Sequence, residues 1–161
     1  MNGFVYLDNS ATTKPCDSAV KAAADAMTLY WGNPSSLYDM GAQAEYKMSE
    51  ARDSVAAALS CRSDEVFFTS GGTEANNLAI RGTANALKRR GKKIVTTSVE
   101  HPSVSKVCDS LEAEGFEVVR IKPESDGNID PSKVISAVDD DTVVVSMMYV
   151  NNETGCIFPV P

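Results

Sequence analysis

Positive charge is scarce in this sequence. Its 161 residues contain 15 Lys and Arg against 22 Asp and Glu, which gives a formal net charge of −7 at pH 7. A surface that neutralises nucleic-acid phosphates or an anionic membrane needs concentrated positive charge. The one basic cluster, residues 88–93, is typical of a helix end with Gly91 in the left-handed cap. Nucleic acids and membranes are therefore not expected as partners.

Close pairs of cysteines are also missing. Cys16, Cys61, Cys108 and Cys156 are spread along the chain, so neither a zinc site nor a dense disulfide framework is predicted. Most of them are expected to be small buried side chains. The first residues lack the charged start and apolar run of a secretory signal, and no segment has the length of a membrane span. We therefore expect a cytoplasmic protein without a metal site.

What the chain does contain is enough apolar material for one globular domain, with 43% hydrophobic and 23% charged residues. Short apolar runs alternate from Val66 onward with segments of helical periodicity, and the predicted strands are 66–69, 93–97, 116–121 and 143–150. This is the pattern of right-handed β-α-β units, so the sequence predicts a three-layer α/β/α fold with a mostly parallel sheet. Two regions are expected, an N-terminal segment of residues 1–15 and a domain of residues 16–161.

The periodic segments predict five helices. Asp17 or Ser18 is expected to cap the first helix, a second covers residues 41–59 with an apolar face, and a third covers 75–88. Pro102 and Pro131 each suit the first turn of a helix, because proline has no N–H to leave unpaired there. The unbroken apolar run 143–150 is typical of a strand that is covered on both faces.

Three polar clusters follow predicted strands: 70–73, 100–101 and 151–153. Ligands of parallel α/β sheets bind at the carboxyl ends of the strands, so these clusters are expected at one edge. A glycine turn that leads into a helix collects free N–H groups and the positive end of the helix dipole, which suits a phosphate. Taken alone, residues 70–73 fit equally well a tight turn with a Ser or Thr helix cap.

His101 is the only histidine, and it stands at a strand end. An imidazole in that place can stack on an aromatic ligand or move a proton near neutral pH, although a lone histidine is more often structural or solvated. Asn152 carries an amide that can donate to a ring oxygen, or it closes the strand as a turn residue. Together with the glycine turn, these residues indicate a cradle for a planar, phosphorylated, polar molecule.

Five motifs in this order resemble those of cysteine desulfurases of the nitrogen-fixation and iron–sulfur-assembly type. These enzymes belong to the class V aminotransferase group of fold-type I enzymes that use pyridoxal 5′-phosphate. The resemblance covers nearly the whole chain and implies the partial large domain of such an enzyme. The motifs are Leu7-Asp8-Asn9-Ser10-Ala11-Thr12-Thr13, Gly32-Asn33-Pro34-Ser35-Ser36, Thr69-Ser70-Gly71-Gly72-Thr73-Glu74-Ala75-Asn76-Asn77-Leu78-Ala79, Glu100-His101 and Val150-Asn151-Asn152-Glu153-Thr154-Gly155.

The resemblance implies conversion of L-cysteine to L-alanine while a protein cysteine takes the sulfur as a persulfide, with pyridoxal phosphate as electron sink. It implies that Gly72 and Thr73 hold the phosphate, that His101 stacks on the pyridine ring and helps proton transfer, and that Asn152 donates to the phenolic oxygen. The implied partners are L-cysteine and a sulfur-acceptor protein for iron–sulfur cluster or thio-cofactor assembly, and a homo-oligomer is expected.

One departure from the family limits what is expected of the chain. No lysine stands in the family's Schiff-base motif, and no cysteine matches its mobile-loop cysteine. We therefore expect an N-terminal portion of a cysteine desulfurase that is inactive alone. The alternative is a non-catalytic binding or assembly module that a separate chain completes. An unrelated nucleotide-binding domain would need a lysine after the glycines, where this sequence has Glu74.

Overall fold

A computed structural model describes residues 3–160 and divides the chain into two compact units, Met1–Phe68 and Thr69–Pro161. Within its described residues, the first unit contains helices and no strand. The second unit contains a sheet and three helices. The expected division between residues 15 and 16 stays a prediction.

The first unit contains two α-helices, α1 at Asp17–Leu29 and α2 at Asp39–Leu59, and a 3₁₀ turn at Ser63–Glu65. Both helices are predicted by the sequence, but the cap of α1 is wrong, because Cys16 precedes the helix and no side chain caps it. The apolar stripe of α2 is buried only at Gly41, Ala44 and Ala56. Helical periodicity defines an apolar face, but burial also requires a packing partner. Among the described helices, none is both long and apolar enough to cross a membrane.

In the second unit, helices and strands alternate along the chain. The elements are α3 at Gly72–Leu87, β1 at Lys93–Thr97, α4 at Pro102–Ala113, β2 at Glu117–Ile121, α5 at Pro131–Ala137 and β3 at Thr142–Ser146. Pro102 and Pro131 begin α4 and α5 as predicted. The side chain of Asp130 caps α5 by accepting a hydrogen bond from the N–H of Ser132 at 2.8 Å.

The three strands form a parallel sheet in the order β2-β1-β3. In this register, Val95 of β1 lies between Val119 of β2 and Val145 of β3. The central strand is the best covered, and Ile94 and Val95 are fully buried. β2 and β3 are the edges of the sheet that the structure describes.

Helices cover both faces of this sheet. On one face, Ile94 belongs to a core with α3 and α4, which also contains Ile80, Ala84, Val104, Val107, Cys108, Leu111 and Phe116. Successive side chains of a strand point to opposite faces, so Val95 and Val145 face the other side. There Val145 lines an apolar groove with Val134 and Ile135 of α5. The predicted three-layer α/β fold with a parallel sheet is confirmed.

The predicted strand at 66–69 is wrong. Val66 is buried, but Phe67 and Phe68 are 74% and 51% exposed, and the segment pairs with no strand among the described residues. The guanidinium of Arg52 instead donates to the Val66 carbonyl and lies 4.8 Å from the centre of the Phe68 ring. β-branched and aromatic residues favour strands chiefly through packing against neighbouring strands. This segment has no neighbouring strand among the described residues.

Two further expectations for the second unit are corrected. β3 ends at Ser146, and Val150 instead forms an isolated antiparallel bridge with Ile157. Val145 is 50% exposed, so this strand is not covered on both faces. Gly91 does not adopt the left-handed conformation. A Cβ at Gly91 would lie 2.1 Å from the carbonyl oxygen of Asp141, so close packing against the start of β3 requires glycine there.

The cysteines also differ from expectation, because only Cys108 is buried. Its burial raises the pKa of the thiol. Cys16 is exposed, and the hydroxyl of Ser18, 3.2 Å from its sulfur, lowers the pKa of that thiol. All four are free thiols.

Candidate functional site

A cleft of about 500 Å³ lies along α3 and α4 in the second unit, from the first turns of both helices to Arg81 and Ser110. The size is within the range of small-molecule sites. Two helix N-termini therefore border one space, and both direct the positive end of a helix dipole toward it. The lining residues are Thr73, Asn77 and Arg81 from α3 and His101, Pro102, Ser103, Lys106, Val107 and Ser110 from α4 and its cap.

The first turn of α3 has free donors. Its first intrahelical bond runs from the N–H of Ala75 to the carbonyl of Gly71, so Gly72, Thr73 and Glu74 keep N–H groups without an acceptor among residues 3–160. A Cβ on Gly71 or Gly72 would meet nothing within 4 Å, so the space beside this turn is open. An incoming anion can reach these donors directly.

The carboxylate of Glu74 is held by the residue before the glycines. It accepts hydrogen bonds from the hydroxyl of Ser70 at 2.6 Å and from the Ser70 N–H at 2.7 Å. These bonds lower the pKa of Glu74, with the hydroxyl as the larger cause. The side chain thereby fixes the glycine turn to the helix that follows it. The alternative interpretation of this turn included a Ser or Thr cap, but Gly71 is the N-cap of α3 and no side chain caps the helix.

His101 is the N-cap of α4, directly after the turn that follows β1. Its Nδ1 accepts a hydrogen bond from the N–H of Ser103 at 3.1 Å and lies 2.8 Å from the Ser103 hydroxyl. Asn76 of α3 donates to the same hydroxyl at 2.8 Å. The imidazole is exposed on the cleft, while the hydroxyl that supports it is buried.

A second network joins the segments that follow β1 and β3. One carboxylate oxygen of Glu100 accepts hydrogen bonds from the hydroxyl of Thr97 at 2.7 Å and from the N–H of Met148 at 3.0 Å. The buried Asn151 donates to the Val99 carbonyl at 2.9 Å and accepts from the N–H groups of Glu153 and Thr154. The neighbours of His101 and Asn152 in sequence therefore tie the two loops together.

The structure brings together part of the predicted site. Thr73 and His101 line the same cleft, and Gly72 begins the helix that carries Thr73. Asn152 is not among the lining residues; it is exposed, and its amide donates to the Glu153 carboxylate at 3.0 Å. The two clusters after β1 and β3 share the carboxyl edge of the sheet as predicted. The third cluster, 70–73, follows no strand.

Several lining residues were missed by motif reasoning. Thr73, Asn77 and Arg81 are spaced by four along α3, and Ser103, Lys106 and Ser110 are spaced by three and four along α4. Such spacing places side chains on one face of a helix. The two rows of polar residues at helical spacing could therefore have indicated this cleft from the sequence.

The two positively charged side chains of the cleft, Arg81 and Lys106, differ in whether they form an ion pair. Arg81 donates to the Glu114 carboxylate at 2.6 Å and to the Ser110 hydroxyl at 2.7 Å, so it is already paired. Lys106 makes no ion pair within residues 3–160. The free charge and the two helix N-termini make this cleft suited to an anionic ligand.

Fold and cleft together define an α/β protein with a parallel sheet and a polar cleft between two of its helices. The family model described as aminotransferase class-V matches residues 5–161. The chain belongs to the class-V aminotransferase family, which confirms the resemblance drawn from its motifs.

Similar proteins agree with this assignment. The chain is 46% identical over 157 residues to a NifS/IcsS protein homolog of Lactobacillus delbrueckii subsp. bulgaricus, covering 98% of this chain and 41% of the relative. It is 43% identical over 159 residues to a cysteine desulfurase IscS of Methanosarcina thermophila, covering 99% of this chain and 39% of the relative. A solved NifS-like protein superposes with a TM-score of 0.90 at 36% identity, covering 96% and 43% of the two chains. The chain thus spans about two fifths of these relatives.

Proposed function

We propose that this chain supplies the phosphate-binding and ring-stacking part of a pyridoxal-phosphate-dependent cysteine desulfurase. Such an enzyme converts L-cysteine to L-alanine and leaves the sulfur as a persulfide on a protein cysteine, for iron–sulfur cluster or thio-cofactor assembly. The observation that carries the proposal is the shared cleft of Thr73 and His101 beside two helix N-termini. Membership of the family and the relative named a cysteine desulfurase support it.

The residues present fit the coenzyme in three respects. The cleft is large enough for a small ligand, the space beside Gly71 and Gly72 is open, and three N–H groups of α3 lack acceptors in the described chain. The positive helix end and the unpaired Lys106 suit a phosphate. When bound, pyridoxal phosphate supplies the electron sink for bond cleavage next to the amino group of the substrate.

Each predicted residue has a role in this proposal. Gly72 and Thr73 hold the phosphate, through backbone N–H groups and the Thr73 hydroxyl. The exposed imidazole of His101 stacks on the pyridine ring and moves a proton at Nε2, since Nδ1 is already bonded to Ser103. The amide of Asn152 donates to the phenolic oxygen, which requires a loop held near His101. The hydrogen bond from Asn151 to the Val99 carbonyl supplies such a connection.

We infer that the 161 residues do not turn over cysteine by themselves. The family's Schiff-base lysine motif and mobile-loop cysteine are not present in this sequence. Without the lysine there is no covalent attachment of the coenzyme, and without the cysteine no acceptor for the sulfur. The competing proposal, a binding or assembly module completed by a separate chain, shares this inactivity and differs in predicting a partner polypeptide in the native complex. The mass of that complex decides between them.

Equilibrium dialysis with pyridoxal phosphate tests the phosphate site. Thr73→Val removes one hydroxyl donor to a charged ligand, so we expect the dissociation constant to rise about tenfold. The matched control is Thr83→Val, which makes the same change in the same helix away from the cleft. Pyridoxal, which has no phosphate, is expected to bind more weakly than pyridoxal phosphate.

Equal effects of Thr73→Val and Thr83→Val, or equal binding of pyridoxal and its phosphate, would show that this turn is not the phosphate site. The inactivity is tested separately. Sulfide release from L-cysteine by the purified chain would overturn the inference that the lysine and the cysteine are required from elsewhere.

The asparagine pair separates binding from folding. Asn152 is exposed, so Asn152→Ala is expected to weaken pyridoxal phosphate binding several-fold and to leave the free energy of unfolding within about 0.5 kcal/mol. Asn151 is 3% exposed and serves two backbone N–H groups and one carbonyl. Asn151→Ala is expected to cost about 1–3 kcal/mol of stability, because those groups lose their partner. Dialysis and urea unfolding measure the two effects, and a stability loss from Asn152→Ala alone would contradict the assignment.

The same proposal includes self-association and a cytoplasmic location. β2 and β3 are edge strands in the described sheet, and Val145 on β3 is half exposed. Unpaired strand edges and apolar surface favour association, so we expect a homo-oligomer. Light scattering measures it, and a monomer at high concentration would contradict it. The cytoplasmic location and the sulfur-acceptor protein stay predictions.

A further inference from the structure

The side chain of His101 caps α4, and it takes part in more hydrogen bonds than a helix cap requires. A cap needs one acceptor for one N–H of the first turn. Nδ1 of His101 fills that need through the N–H of Ser103 at 3.1 Å. The hydroxyl of Ser103 adds a second contact to the same nitrogen at 2.8 Å, and Asn76, from another helix, contacts that hydroxyl.

The direction of these hydrogen bonds follows from the chemistry of the groups. The NH₂ of Asn76 is only a donor, so at 2.8 Å it occupies a lone pair of the Ser103 oxygen. The hydroxyl retains its one proton, and Nδ1 is the nearest acceptor for it. Nδ1 then accepts from both the hydroxyl and the N–H of Ser103. A nitrogen that accepts twice carries no proton, so the ring proton of the uncharged imidazole lies on Nε2.

The supporting hydroxyl is shielded from water, whereas the ring is not. Ser103 is 7% exposed and Asn76 is partly buried, so water competes little for the Asn76–Ser103 bond. His101 is exposed and lines the cleft. The fixed part of the network therefore lies behind the ring, and the nitrogen that carries the proton is the one without a partner among the described residues.

We propose that Ser103 and Asn76 are positioning residues that hold His101 in the form protonated at Nε2 and fix the orientation of its ring. The protonation pattern follows from the hydrogen bonds alone. Only its consequence for catalysis rests on the proposed function: the imidazole enters the cleft as a hydrogen-bond donor at Nε2, toward the bound coenzyme or substrate. Neither Ser103 nor Asn76 needs to touch the ligand.

The sequence makes a direct test possible, because His101 is the only histidine. Long-range proton–nitrogen spectra of the chain labelled with ¹⁵N-histidine report one imidazole, and they need neither coenzyme nor activity. At about pH 8.5, above the range in which histidine gains its second proton, the spectrum shows which ring nitrogen is protonated. We expect Nε2 to be protonated and Nδ1 to show the shift of a hydrogen-bonded acceptor.

Reversing the network gives the sharpest variant. In Asn76→Asp, the new carboxylate accepts the Ser103 proton, and the hydroxyl oxygen then presents a lone pair to Nδ1. The share of the form protonated at Nδ1 should therefore rise, while the N–H of Ser103 continues to favour an unprotonated Nδ1 and limits the change. Asn85→Asp is the matched control, because it adds the same charge to α3 at a position that does not line the cleft of His101. It should leave the spectrum unchanged.

Ser103 provides a second series that does not depend on an added charge. Ser103→Ala removes the hydroxyl but keeps the N–H, so the Nδ1 shift should move partway toward that of free imidazole. Ser103→Thr keeps a hydroxyl and should restore the wild-type spectrum. Circular dichroism confirms that each variant is folded.

A wild-type spectrum with both protonated forms, or equal spectra for Asn76→Asp and Asn85→Asp, would overturn the positioning role. That failure leaves pyridoxal phosphate binding untouched, since dialysis measures it independently. The reverse case, one protonated form without coenzyme binding, overturns the proposed function and supports the network. The two proposals can therefore fail separately.

Discussion

The two units of this chain contain helices of similar amphipathic pattern but bury them to very different extents. In Met1–Phe68, α1 buries no residue, and α2 buries only Gly41, Ala44 and Ala56. In Thr69–Pro161, α4 alone buries five residues, and β1 contains Ile94 and Val95 at 0% exposure. A sheet is what distinguishes the second unit.

The comparison shows that a stable helix needs two separate things: an amphipathic sequence pattern and a surface against which its apolar face can pack. A helix becomes stable in a protein mainly by burying its apolar face, because its own propensity is marginal at these lengths. In the second unit, the sheet offers an apolar surface, and α3 and α4 pack on one face of it and bury its central strand. In the first unit, no described strand provides such a surface. We therefore expect the free energy of local opening to be high around β1 and low in α1.

The largest expected effect tests this contrast with one type of substitution in two places. Leu111 of α4 is fully buried, so Leu111→Ala should cost about 2–5 kcal/mol through lost burial and a cavity. Leu29 at the end of α1 is 62% exposed, so Leu29→Ala should change the free energy of unfolding by less than about 0.5 kcal/mol. Urea unfolding followed by circular dichroism measures both.

Equal costs at Leu29 and Leu111 would mean that α1 is packed as tightly as α4, and the comparison between the units would fail.

A smaller effect is expected from replacing two glycines of the second unit, one in close contact with backbone atoms and one with open space around it. Gly91 lies against Asp141, where a Cβ would meet the carbonyl oxygen at 2.1 Å, so Gly91→Ala should cost about 1–3 kcal/mol by overpacking. Gly82 in the middle of α3 has nothing within 4 Å of an added Cβ. Gly82→Ala should stabilise by about 0.5–1 kcal/mol, because alanine loses less conformational freedom in a helix.

Thermal unfolding of the two alanine variants should therefore shift in opposite directions. A stabilising Gly91→Ala would show that the approach of residue 91 to the start of β3 is loose.

Sequence reasoning worked best where local signals and the sheet agreed. The prolines that begin α4 and α5, the Asp130 cap, and the inner stripe of Val104, Val107, Cys108 and Leu111 could all be predicted. Each depends on residues within one or two turns. The segment 66–69 failed because a strand needs a neighbour, and nothing in the local sequence says whether one is present.

The candidate site shows the same limit. Thr73 and His101 line the same cleft as predicted, but only His101 follows a strand of the described sheet, and Thr73 lies there because α3 packs on α4. The support of His101 by Asn76 could not be predicted, because 27 positions separate Asn76 from Ser103 and only the packing of α3 on α4 joins them. Similarly, the close approach at Gly91 depends on Asp141, which is remote in sequence.

The smallest expected effect concerns how helices of the two units begin. α1 has no side-chain cap, whereas Glu74 ties the start of α3 to Ser70 through two hydrogen bonds. These bonds lower the pKa of the Glu74 carboxyl below its ordinary value. A lowered pKa in the folded state means that the ionised carboxylate stabilises the fold above its ordinary pKa, and that this contribution is lost as the pH falls through the lowered value.

Glu74→Gln keeps an acceptor for Ser70 but removes the charge, so the variant should be slightly less stable than the wild type at pH 7. The difference should shrink on acidification and vanish below the lowered pKa of Glu74, where the wild-type carboxyl is protonated as well. Ser70→Ala retains only the N–H donor and should therefore show a smaller pH dependence than the wild type. Urea unfolding across this pH range measures these differences. A gap between Glu74→Gln and the wild type that widens toward acid would mean that the charge of Glu74 opposes the start of α3 instead of stabilising it.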